Sequence, residues 1–169
     1  MQNMVAEFSS FAAIPEVSLT EGNLYPLLEE LVVMFRTSHP RIEWLLDIPS
    51  PLPDMPLDAE AMHRVLLNLM GNAAEALGGE TAAPGAKVVI RAELDARREN
   101  LRVEIEDNGP GLPEEDAAKL FEAVLFTQTG GTGLGLSIVR ALVQDHGGSI
   151  IARNAPHGGA LIRMEFPLV

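Results

Sequence analysis

The chain has 169 residues, of which 47% are apolar, enough for one domain with a sizeable core. Its 24 acidic and 12 basic residues give a formal charge of −12, which argues against a nucleic-acid surface but leaves a single nucleotide possible. The absence of cysteine excludes disulfides, thiolate catalysis and Cys-based zinc sites, and no apolar run approaches the roughly 18 residues needed to span a bilayer.

In chain order, residues 1–13 read as a helix end, with Met4, Val5, Phe8 and Phe11 at helical spacing, or as a disordered leader. They lack the basic start of a signal peptide, so any membrane anchor is expected elsewhere, and a cytoplasmic location fits. Glu16–Leu19 is expected as a short strand, and Thr20 as the cap of a helix from about Gly22 to Ser38. Ile42–Ile48 reads as a strand. The stretch IPSPLPDMP, with four prolines, reads as an irregular connection.

Asp58 is the expected cap of a helix running to about Leu77, and residues 78–86 a loop. Lys87–Leu94 and Leu101–Glu106 alternate apolar and polar around a charged turn, the pattern of a hairpin. Pro113–Phe121 can form a short helix. A further helix is expected over about Leu134–His146, then strands over about Ser149–Asn154 and Gly159–Phe166. This order predicts a two-layer α/β sandwich, with a mixed, mostly antiparallel sheet covered on one face by about three helices.

Three motifs carry chemistry. GGTGLGLSIV, residues 130–139, sets glycines ahead of an amphipathic helix, where close backbone approach and free N–H groups suit a phosphate. A ligand-free flexible loop has the same composition. No Gly-Lys-Ser/Thr follows, so this is not a P-loop. DNGPGLP, residues 107–113, places a carboxylate at a strand end, where it can accept a hydrogen bond from an exocyclic amine. An ordinary Asp-Asn-Gly turn reads the same way. In RVLLNLMGNAAEAL, residues 64–77, Asn68, Asn72 and Glu75 share one stripe of a helix that is otherwise apolar. Their oxygens suit a hydrated Mg²⁺, and helix–helix hydrogen bonding would equally satisfy them.

Taken together, NLMGNAAEA, DNGPGL, LFEAVLF and GGTGLGL resemble, in order, the N, G1, F and G2 boxes of the GHKL (Bergerat) ATPases. GTGLGLSIVRALVQDHGGSI looks like the histidine kinases among them. The lead-in MVAEFSSFAAIPEVSLTEGNL resembles the junction between dimerisation helices and catalytic domain in nitrogen-regulation sensor kinases. The resemblance implies ATP and Mg²⁺ as cofactors. It implies Asn72 as metal ligand, with Asn68 beside it and Glu75 close to the nucleotide. Asp107 would accept from the adenine amino group, and Gly109 and Gly111 would let the backbone pass the base. Gly131, Thr132, Gly133, Leu134 and Gly135 would line the phosphates, and Phe121 and Phe126 would belong to a lid. Residues 1–14 would be the tail of a dimerisation helix or linker, and 15–169 the ATP-binding catalytic domain.

Two departures stand out. The family's lid often carries a lysine or arginine where this chain has the neutral Gln128, the residue expected near the γ-phosphate. No phosphoacceptor box is present either. The four histidines, His39, His63, His146 and His157, are expected as capping or surface residues. The resemblance therefore implies a domain that binds Mg-ATP without phosphorylating itself. It would transfer the γ-phosphoryl group to a histidine on a separate dimerisation domain, a response regulator being served indirectly. A different GHKL ATPase or serine kinase, and a docking module with little turnover, are the alternatives. No contact with nucleic acid or membrane is expected.

Overall fold

The computed structural model describes residues 16–112 and 134–169. Its first element is a strand, β1 (Thr20–Gly22), and helix α1 follows over Tyr25–Ser38. Both differ from expectation. Thr20 lies inside β1 and caps nothing, and the strand begins where Glu16–Leu19 was expected to end. The helix start is fixed instead by Asn23, whose side-chain oxygen accepts the Tyr25 N–H at 3.0 Å. Pro26 then sits in the first turn, where its missing N–H costs nothing.

The proline-rich stretch is not wholly irregular. After β2 (Glu43–Asp47), residues Met55–Leu57 form β3 and pair antiparallel with β1, Thr20 opposite Leu57. Proline obscured this strand. Pro56 is tolerated because the ribbon has two strands and therefore only edges.

Helix α2 covers Ala59–Ala76, and the side chain of Asp58 caps it by accepting the Ala61 N–H at 3.1 Å. The other oxygen of Asp58 accepts the Ser18 N–H at 2.9 Å. That bond is the first of several that hold the carboxyl below the usual aspartate range. After α2, the expected loop contains one 3-10 turn, Gly79–Thr81.

Strands β4 (Lys87–Leu94) and β5 (Asn100–Asp107) form the expected hairpin. Helix α3 (Leu134–Asp145) leads into a second hairpin, β6 (Ser149–Asn154) and β7 (Ala160–Pro167). The helices expected over 1–13 and 113–121 lie outside the described residues.

The main sheet has the order β2-β4-β5-β7-β6, parallel only between β2 and β4. Its register aligns Leu46, Ile90, Ile105, Ile162 and Ala152 in one row across all five strands. This face packs against Leu28, Leu31 and Phe35 of α1, Val65, Leu66 and Leu69 of α2, and Val139, Leu142 and Val143 of α3. Each fully buried aliphatic side chain contributes about 1.5–3 kcal/mol. The opposite face is polar. Arg91 meets Glu106 at 2.8 Å, Arg163 meets Glu104 at 2.8 Å and Arg102 meets Glu165 at 3.2 Å across neighbouring strands. The fold is the expected two-layer sandwich, with a mixed, mostly antiparallel sheet.

His146 departs from the expectation of a capping or surface residue. It is 3% exposed. One ring nitrogen, Nδ1, donates to the Leu142 carbonyl at 2.8 Å, and Nε2 accepts the Asp58 N–H at 3.1 Å. The ring therefore bridges the end of α3 to the start of α2 rather than facing solvent.

Candidate functional site

A cavity of about 330 Å³ opens between α2, the end of β5, the loop after it, the start of α3 and β7. Leu69 and Ala73 of α2, Ile105 of β5, Leu136 of α3 and Ile162 of β7 supply its apolar walls. Asn72, Glu75 and Asp107 supply its polar side chains. Helical spacing produces the first half of this arrangement. Positions 69, 72, 73 and 76 form one stripe, so α2 turns an apolar wall and an amide toward the same space.

Strand alternation produces the other half. Leu101, Val103, Ile105 and Asp107 are the buried members of β5. Asp107 thus continues the core-facing row and ends 7% exposed. Its Oδ1 accepts the Gly109 N–H at 2.9 Å and the Ala160 N–H at 3.2 Å. Among the described residues nothing donates to Oδ2. Burial raises the carboxyl pKa above the usual aspartate value, and the two backbone N–H bonds offset part of that rise. An apolar slot ending in a half-satisfied carboxylate suits a flat ring that presents a hydrogen-bond donor.

The loop after Asp107 is held from both sides. Asn108 accepts the Lys87 N–H at 2.8 Å and donates to the Gly85 carbonyl at 2.8 Å. At the far end, Asn154 accepts the Leu112 N–H at 2.6 Å and donates to the Leu112 carbonyl at 2.9 Å. Gly111 has φ +83°, a left-handed conformation that side chains rarely adopt. Gly159, at φ +90°, lies against the Asp107 carbonyl so closely that a Cβ would overlap it.

The structure therefore brings together Asn72, Glu75, Asp107 and Gly111 around one cavity, with Gly109 bonded to Asp107 at its edge. Asn68 is not among the residues lining it, and its amide donates instead to the Arg64 carbonyl at 2.8 Å. Leu134 and Gly135 open α3. Phe121, Phe126, Gln128, Gly131, Thr132 and Gly133 lie outside the described residues. Sequence reasoning passed over Asn108, Asn154, Gly159 and Ala160, because nothing local marks a turn residue as the anchor of a loop far away in sequence.

Among the described residues no group of three or more His, Cys, Asp or Glu side chains could hold a metal ion. An Mg²⁺ held mainly by phosphate oxygens and water, with one or two protein oxygens, needs no such group, and the amide oxygen of Asn72 on the cavity wall fits that donor set. Among the described residues, no helix is long and apolar enough to cross a membrane.

Known proteins place this cavity in context. The chain is 37% identical over 164 residues to nitrogen regulation protein NtrY of Azorhizobium caulinodans, covering 95% of this chain and 21% of that protein. It is 35% identical over 145 residues to the sensory histidine kinase/phosphatase NtrB of Salmonella typhimurium, covering 80% of this chain and 40% of that one. The chain thus spans well under half the length of these relatives. Among solved structures, the catalytic domain of the histidine kinase ThkA superposes with a TM-score of 0.77 at 32% identity, covering 89% of this chain and 96% of that one. Full-length ShkA, solved in complex with AMPPNP, gives a TM-score of 0.79 at 30% identity over 99% of this chain and 35% of that one. Residues 57–169, which hold every described residue of the cavity, match a single family profile. With the sheet order and the α2 stripe already in place, that match makes the chain a member of the histidine kinase-, DNA gyrase B- and HSP90-like ATPase family.

Proposed function

We propose that this chain is the catalytic domain of a sensor histidine kinase of the nitrogen-regulation type. It binds Mg-ATP and delivers the γ-phosphoryl group to a histidine on a separate dimerisation domain. The observation that carries the reading is Asp107, a buried carboxylate at the end of an apolar slot, with one oxygen fixed by backbone N–H groups and the other receiving no donor among the described residues. That geometry selects adenine through its amino group, while Leu69, Ile105 and Ile162 cover the faces of the ring.

Asn72 and Glu75, which line the cavity from α2, would face the phosphates, with Asn68 one turn earlier on the helix. Asn72 would hold Mg²⁺, which when bound neutralises phosphate charge. By the family resemblance, Gly131, Thr132, Gly133, Leu134 and Gly135 would line the phosphates, and Phe121 and Gln128 would belong to the lid over them. The protein's part is to bind, orient and exclude water; it forms no covalent bond to the phosphoryl group. Residues 1–14 belong to the linker from the dimerisation helices, and 15–169 form the catalytic unit. A cytoplasmic site follows, since ATP is the substrate. A response regulator takes the phosphoryl group afterwards; the kinase ThkA has been solved with its regulator TrrA.

Calorimetric titration with ATP and ADP in Mg²⁺ tests the nucleotide reading, and the absence of binding ends it. Incubation with γ-labelled ATP and a supplied dimerisation domain tests transfer. The expected product is acid-labile label on that domain, and acid-stable label points to a serine kinase. The neutral Gln128 favours a second reading, a docking module that binds nucleotide with little turnover. Nucleotide binding without transfer to any supplied histidine domain would select it.

A further inference from the structure

Asn154 is the last residue of β6, exposed, and far from Asp107 in sequence. Its amide nevertheless pairs with both backbone groups of Leu112, accepting the N–H at 2.6 Å and donating to the carbonyl at 2.9 Å. This is the two-bond pattern of a strand neighbour, made by one side chain. Gly111 lies beneath it, and a Cβ there would come within 2.8 Å of the Asn154 oxygen and 3.2 Å of the Gly159 carbonyl. The same hairpin reaches the other end of the loop, where the Ala160 N–H donates to Asp107 Oδ1 at 3.2 Å.

Loop 107–112 is thus fastened to the β6–β7 hairpin at both ends. Between those fastenings, Pro110, Gly111 and Leu112 form one wall of the cavity, while α2 forms the wall opposite. Among the described residues, the backbone of that wall pairs with no strand. Gly109 abuts the end of α2 near Ala76 and Leu77, while the far end of the wall, at Leu112, is hydrogen-bonded to the hairpin through the clamp.

We infer that Asn154 is a positioning residue for the nucleotide. By holding Leu112 through two hydrogen bonds it fixes the wall against which the base packs, without itself touching the base or the phosphates. This rests on the nucleotide reading above. It extends the site to a β6 residue that neither the glycine motifs nor the α2 stripe contain.

The test is calorimetric titration of the full 169-residue chain with Mg-ATP, ADP and adenosine, for wild type, Asn154→Ala and Asn154→Asp, well below each variant's melting temperature. Asn154→Ala removes both bonds. Asn154→Asp keeps the side chain's shape and the acceptor for the Leu112 N–H, but sets an oxygen against the Leu112 carbonyl. Both variants are expected to weaken all three ligands by the same factor, about 5- to 30-fold, the worth of one to two hydrogen bonds. The ratio of ATP to ADP affinity stays at its wild-type value.

A role confined to stability or space filling would leave Asn154→Asp within about twofold of wild type for every ligand, whatever its melting temperature, and that result overturns the inference. A loss confined to ATP, which would place the effect at the phosphates, also overturns it. Failure of wild type to bind any adenine compound overturns the nucleotide reading itself. That outcome is distinguishable because the wild-type titration alone reveals it.

Discussion

The backbone N–H of Asp58 donates to Nε2 of His146 at 3.1 Å, joining the cap of α2 to the end of α3 through one buried imidazole. The other ring nitrogen is bound to Leu142, and the ring meets Phe166 edge-on at 6.0 Å. The two helices that flank the cavity are thereby tied together at their far ends. Replacing His146 with Ala leaves the Asp58 N–H without its partner and a void against Phe166. The expected loss is about 2–4 kcal/mol of unfolding free energy, measured by urea titration. A loss below about 0.5 kcal/mol, the scale of an ordinary surface substitution, would show that the tie carries no stability.

Asp107 sets stability against binding. Asn in its place keeps Oδ1 as acceptor for Gly109 and Ala160 and removes a charge that burial penalises. Asp107→Asn is therefore expected to melt at or above the wild-type temperature at neutral pH. The pH dependence follows from the raised pKa. The folded wild type takes up a proton at a higher pH than the unfolded chain does, so its stability rises relative to the variant as pH falls through the folded value. The gap between the two should close toward about pH 4 and reach its limit below the unfolded carboxylate value of about 3.9. Adenine affinity moves the other way. The Asn amide offers a donor where the base offers another, and the expected loss in calorimetry is roughly 10- to 100-fold.

Gly159 is the position least able to accept a side chain. Its φ of +90° and the overlap of a Cβ with the Asp107 carbonyl act together. Gly159→Ala is expected to cost about 2–4 kcal/mol, from left-handed strain and overpacking. Gly158→Ala is the control. That glycine is also left-handed, at φ +96°, but a Cβ would meet nothing within 4 Å. It should lose only about 1 kcal/mol, from backbone strain alone. Equal melting temperatures for the two variants would remove the contact with Asp107 from the account.

Asn72 is exposed at the cavity mouth, so its loss should spare the fold. Asn72→Ala is expected to keep the wild-type melting temperature within about 1 °C and to bind ADP in EDTA as wild type does. The gain in ATP affinity on adding Mg²⁺ should fall by about tenfold or more. An unchanged Mg²⁺ dependence in calorimetry would place the metal's protein ligand elsewhere.

The site was legible in the sequence where a period carried it. The 3.6-residue stripe of α2 put Asn72 and Glu75 on one face, and both line the cavity. The same stripe includes Asn68, yet Asn68 bonds to its own helix, since a stripe fixes direction but not the distance to what lies opposite. Alternation along β5 carried more than the strand assignment used. Counting by twos from Leu101 reaches Asp107, and that parity alone marks it as core-facing. The short elements were obscured by their residues. Thr20 reads as a helix cap and Pro56 as a strand breaker, and only the pairing of β1 with β3 explains both. His146 read as a capping or surface residue because its partner, Asp58, is 88 residues away.

The single tryptophan, Trp44, is buried on β2 with its ring 4.8 Å from Phe35. It sits on an edge strand, and β4 separates it from β5, so about two strand spacings, near 10 Å, divide its backbone from the strand that carries Asp107. Its indole packs against α1, which supplies no wall of the cavity. Intrinsic fluorescence at red-edge excitation will therefore follow unfolding and stay silent to nucleotide. A labelled nucleotide would report occupancy on a second optical channel. With a label that absorbs outside the tryptophan emission band, each variant can then be scored for fold and for ligand in one cuvette.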